Sequence, residues 1–207
     1  MSKTPVYFLS HGGPKTIVKP KAVVVFSAHW QASSDNEIEI NTQEKTDLIY
    51  DFYGFPSHYY KVSRGLDHGV WASFKCAFAP DENPLSVPLV QVSLFSSEDP
   101  TQHYNLGRAI ASLRSDNIAI IVSGMAVHNL RDIRLTFANP ERIMPYTSSF
   151  DEALKDAATS APAEREQKMV ALLKRPDARQ AHPTFEHLLP IFVGAGAAGD
   201  DVGKRLL

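Results

Sequence analysis

One cysteine, Cys76, stands in the whole chain. Its isolation excludes an intrachain disulfide and any zinc cluster built from thiolates. A reducing compartment fits that usage. No charged N-terminal region leads into a long apolar stretch of the signal-peptide kind, so the expected location is cytoplasmic. No apolar run approaches the ~20 residues of a membrane span. An excess of positive charge is missing too: 21 lysines and arginines face 23 aspartates and glutamates, for a net charge of −2. That leaves no basic footprint for nucleic acid. The G-x-x-x-x-G-K-[ST] phosphate loop and the G-x-S-x-G nucleophile elbow do not occur. Gly194, Gly196 and Gly199 match G-x-G-x-x-G, but too little chain follows for the helix and ribose-binding acid of a dinucleotide site. Close backbone packing is the expected use of that run, and Cys76, within an apolar helical stretch, is expected in the core.

Histidine is present in number, with eight in 207 residues, and 43% hydrophobic content is enough for a sizeable core. The length reads as one domain, residues 1–207. Apolar, β-branched runs predict strands over 5–10, 22–28, 36–41, 87–94 and 118–123, with a weaker one near 191–194. Helices are expected over about 68–79, 102–114, 148–159 and 163–174, the third capped by Ser148 or Ser149, with Thr159 to Pro162 linking the last two. Alternating elements of this kind imply an α/β fold with a mainly parallel or mixed central sheet flanked by helices. Strands 5–10 and 22–28 should be parallel, yet only about a dozen residues join them, the lower limit for a parallel crossover.

The histidines fall at informative places. His11 follows Val6-Tyr7-Phe8-Leu9-Ser10 and opens a Gly12-Gly13-Pro14 turn. His29 follows Ala22 to Ala28. Each ends a strand, and the carboxyl edge of a parallel sheet is where α/β proteins hold ligands. Two imidazoles delivered to one edge are the beginning of a metal site; a turn histidine and a buried, hydrogen-bonded histidine are the bland alternatives. His128 repeats the design after the strand 118–123, across a run of small residues. His68 follows Asp67, a candidate helix cap. His182 and His187 flank Pro183-Thr184-Phe185-Glu186; their spacing is not the i, i+4 of a zinc-protease helix. His58 and His103 read as solvated or supporting.

Taken together, the phrases Ser10-His11-Gly12-Gly13-Pro14, Ser27-Ala28-His29-Trp30, Tyr50 to Pro56, Arg64 to Trp71, His103 to Gly107, Ser123 to Leu130 and His182 to His187 form an ordered series. It resembles the 4,5-DOPA extradiol dioxygenase family, class III extradiol ring-cleaving enzymes of the protocatechuate 4,5-dioxygenase β-subunit type. The resemblance implies a metal held by His11, His29 and His187, with Glu186 as a less favoured ligand. It implies His128 as the acid–base histidine, and His68 and His182 as pocket histidines that contact substrate or water. Fe(II) is the expected metal for activity, with Zn(II) compatible with the same three histidines. The implied partners are a small catechol and O₂. Trp30, Tyr53 and Phe55 are candidate aromatic walls. Family members carry longer stretches after His11 and before Arg64 than this chain does. A zinc-dependent hydrolase and a non-enzymatic metal-binding or interaction protein on the same fold are the alternative readings.

Overall fold

A computed structural model describes residues 3–9, 20–49, 65–78, 85–139 and 141–206. Its centre is a four-stranded sheet of β1 (Val6–Leu9), β2 (Ala22–Gln31), β3 (Leu89–Leu94) and β4 (Ile118–Ser123). The order across the sheet is β1-β4-β2-β3 and every pairing is parallel. β4 therefore lies between the first two strands, with Val6 opposite Ile120 on one side and Val24 opposite Ile120 on the other. The first two strands are parallel, as expected, but they are not neighbours.

Strand composition follows from burial on both faces. Val23, Val25, Ala119 and Ile121 point to one side, where they pack with Val70, Phe74 and Ala77 of α1 (His68–Ala77). Phe26, Ile120 and Val122 point to the other, where the larger core gathers α2 (Pro100–Ile110), α4 (Pro145–Ala158), α5 (Pro162–Leu172) and α7 (Leu189–Ala198). A 3-10 segment, Ala111–Asp116, leads into β4, and Asn117 takes the left-handed conformation between them. Two further helices, α3 (Leu130–Ala138) and α6 (Ala178–Ala181), complete the chain order.

Several expectations change. Residues 191–194 are not a strand but part of α7, which is buried all round from Leu189 to Ala197. Segment 36–41 contributes one isolated antiparallel bridge, Ile40 with Val92, rather than a strand. α4 starts at Pro145 after Met144, with no side-chain cap, so Ser148 and Ser149 lie inside it. Its proline supplies a preset φ at the first turn instead. Cys76 is exposed on α1 rather than packed in the core. The glycine run near the end of the chain serves close packing, as expected. A Cβ on Gly196 would lie 2.0 Å from the Tyr104 carbonyl oxygen of α2, and one on Gly107 would lie 2.0 Å from that of Val193.

Candidate metal and catalytic site

Four of the expected histidines meet at the carboxyl edge of the sheet. His29 lies near the end of β2, and His68 is the first residue of α1. His128 lies in the loop after β4, and His187 in the segment before α7. The His29 and His68 rings are 3.8 Å apart, centre to centre, and His29 meets His187 edge to face at 4.8 Å. His128 stacks on His187 with 3.5 Å between centres and 11° between planes. His11, Tyr53, Phe55 and His58 lie outside the described residues.

The loops are stitched together by the backbone. The Met125 amide donates to the His187 carbonyl at 2.8 Å, and the His128 amide donates to that of Ala181 at 2.9 Å. Gly124 permits this approach, because a Cβ there would sit 2.3 Å from the His187 carbonyl oxygen. His182, expected in the pocket wall, is fully buried. Its Nε2 lies 2.9 Å from the Ala126 carbonyl oxygen, which ties it to the loop that carries His128. His103 is likewise fully buried rather than solvated, with Nδ1 2.8 Å from the Asp99 carbonyl oxygen.

Protonation follows from these surroundings. Burial, reinforced by the neighbouring His187, pushes His128 down to about 4. Burial also pushes His182 down to about 4, against the pull of its bond to Ala126. Both rings are therefore neutral near pH 7. Burial alone would raise the Glu186 carboxyl, but hydrogen bonds from His187 and Thr184 outweigh it and hold the group at about 2. Glu186 is thus an anion, and it accepts from His187 Nδ1 at 2.9 Å. That bond turns Nδ1 toward Glu186 and leaves Nε2 as the nitrogen that His187 offers to the site.

That nitrogen faces His29, with His187 Nε2 and His29 Nε2 3.2 Å apart. Two nitrogens about 2.1 Å from one ion, at roughly 90–110°, lie about 3.0–3.4 Å apart. The pair therefore fits a shared divalent cation. A second donor set overlaps it: single ligand atoms of His128, Glu186 and His187 lie within 4.8 Å of one another. His187 belongs to both. Beside His29, a cleft of about 490 Å³ is lined by Trp30, Glu39, Asn41, Asp67 and Gln91 among others.

The role of Glu186 as acceptor to His187 is a feature that sequence reasoning missed. Adjacency made Glu186 look like a competing ligand; its effect on the ring nitrogen depends on how the segment before α7 turns, which spacing does not reveal.

Residues 53–207 match the family described as the catalytic LigB subunit of aromatic ring-opening dioxygenase. A 4,5-DOPA dioxygenase extradiol of Beta vulgaris is 30% identical over 251 aligned positions, covering 97% of this chain and 89% of the relative. That alignment is longer than the 207-residue chain, so the beet protein carries stretches this chain lacks. A 4,5-DOPA dioxygenase extradiol of Escherichia coli is 28% identical, covering 95% of this chain and 86% of its own. Among solved structures, an uncharacterized protein of Escherichia coli K12 superposes with a TM-score of 0.68 at 29% identity, over 87% of this chain and 77% of that one. With a family match over most of its length, on a sheet edge that gathers these histidines, the chain belongs to the LigB family of aromatic ring-opening dioxygenases.

Proposed function

We propose that the protein opens the ring of a catechol beside its two hydroxyls, consuming O₂, at a single metal held by His29, His187 and His11. DOPA, the substrate in the names of several relatives, heads the class of catechols to be tried. The observation that carries the reading is the 3.2 Å approach of the two Nε2 atoms, with the far side of His187 already committed to Glu186. A bound Fe(II) would supply the oxygen-activating redox chemistry, whereas Zn(II) would supply Lewis acidity alone.

The chain's own residues handle protons and position. His128 is neutral and half-buried. It can take a proton from a catechol hydroxyl, because the developing phenolate supplies the negative charge that burial withholds from the imidazolium. The same environment makes the imidazolium a ready donor when the opened product needs the proton back. His182 positions the His128 loop through Ala126, while His68, against the His29 ring, is the histidine assigned to substrate contact.

Oxygen uptake by protein loaded with Fe(II) under anaerobic conditions, across a small catechol panel, tests the reaction. Stoichiometric uptake with a yellow ring-opened product is expected, and no turnover of any catechol would overturn the reading. His128→Ala should retain the metal while losing about 10²–10⁴ in turnover. Full activity in that variant would remove the acid–base role. Loss of the metal would assign binding to the His128, Glu186 and His187 set instead.

A further inference from the structure

Asp67 is the only buried acidic side chain among the described residues, at 3% exposure, at the base of the cleft beside His29. Its carboxylate has only neutral donors there. Oδ1 accepts from the Ser27 hydroxyl at 2.7 Å and from the Val70 amide at 3.3 Å, and Oδ2 accepts from the Gln91 carboxamide. A buried carboxylate without a cation is costly, and sites that tolerate one usually have a nearby positive charge to meet.

The connections of Asp67 lead to the histidine site. Ser27 donates its hydroxyl proton to Asp67 and, through the same oxygen, accepts the His29 amide at 3.2 Å. Asp67 caps α1 through the Val70 amide, and His68 is the residue that follows the cap. One carboxylate therefore fixes the backbone of His29 and the start of the helix that carries His68, and these two rings lie 3.8 Å apart. Glu186 does the matching service for His187 through its ring nitrogen. An all-imidazole donor set brings no negative charge to a dication. A carboxylate behind the ligands from each side would provide it without occupying a coordination position.

We propose that Asp67 is a positioning residue and the buried counter-charge of this site. Through Ser27 and the first turn of α1 it holds His29 and His68 in place, and its charge favours a divalent cation among neutral imidazoles. The inference rests on the metal site argued under the proposed function.

Cobalt(II) binding to metal-free protein tests it, by chelator competition and by the visible ligand-field spectrum, in wild type, Asp67→Asn, Ser27→Ala and the double variant. Asparagine caps a helix as well as aspartate does, so α1 keeps its start while the charge is lost. Asp67→Asn should weaken cobalt binding about 10–100-fold, the range for partners that orient ligands, and alter the spectrum. Ser27→Ala should weaken it less, and the double variant should resemble Asp67→Asn alone, because the two act through one connection. Unchanged affinity and spectrum in Asp67→Asn would overturn the inference, as would additive losses with an unaltered spectrum. If Asp67→Asn fails to fold, wild-type affinity in Ser27→Ala overturns it. Wild-type protein that binds no cobalt would defeat the metal site itself, and this inference with it. Cobalt binding to wild type with no response to either substitution defeats only the role of Asp67.

Discussion

His182 shows how one buried side chain couples folding to pH. Its imidazole is fully enclosed and held down at about 4, whereas in an unfolded chain a histidine titrates near its ordinary value of about 6.5. Between those values the unfolded chain binds a proton that the folded chain refuses. Stability is therefore highest above pH 6.5 and falls as the pH drops toward 4. His182 alone accounts for about 3 kcal/mol of that loss. His128 adds to it in the same direction, as does His103, also lowered by burial. Urea midpoints at pH 7, 6, 5 and 4 should decline steadily. His182→Gln keeps an amide donor for Ala126 and cannot be protonated, so its decline should be shallower. A variant that loses stability with acid as steeply as wild type would show that His182 is not among the groups responsible.

At the scale of elements, α2 and α7 lie backbone against backbone. The two glycines that allow it, Gly107 and Gly196, each face a carbonyl of the other helix at a separation no Cβ could share. Gly196→Ala must push the helices apart and lift α7 from the sheet, at about 1–3 kcal/mol or more. Once they are apart, adding Gly107→Ala should cost less than it does alone. Thermal melts of both single variants and the double variant check this; an unshifted melting temperature in Gly196→Ala would mean the helices accommodate a methyl group after all. α7 also explains why part of the fold was not legible. Its residues Leu189-Pro190-Ile191-Phe192-Val193 are apolar without interruption, and a helix buried all round has no polar stripe to reveal its 3.6-residue period. The strands of the sheet centre posed no such problem, because β-branched runs such as Ala22 to Phe26 and Ile118 to Val122 are what a parallel sheet covered on both faces requires. α3 went unpredicted for the opposite reason. Leu130, Ile133, Leu135 and Phe137 are all exposed, so its apolar residues trace no inward face.

For the molecule as a whole, the site is a meeting of distant segments. His29 comes from β2, His68 from α1, His128 from the loop after β4 and His187 from the segment before α7. The strand-exit positions of His29 and His128 were legible, since the end of a buried parallel strand fixes the edge to which the next residues belong. The Asp67 network was legible only as a helix cap; its links to Ser27 and Gln91 span 40 and 24 residues and depend on the sheet having formed. Such a site couples metal binding to global stability, because an ion held by His29 and His187 joins β2 to the chain before α7. In the unfolded chain those two residues are 158 positions apart and offer no preformed site. Binding to the folded state alone stabilises it by about 2.7 kcal/mol at a free metal concentration 100 times the dissociation constant. Metal-free protein should therefore melt at a temperature that rises with added zinc or cobalt, and a chelator should reverse the rise. His187→Ala removes the residue common to both donor sets and should abolish the rise, while His128→Ala should keep most of it. A rise of wild-type size in His187→Ala would place the ion elsewhere on the molecule.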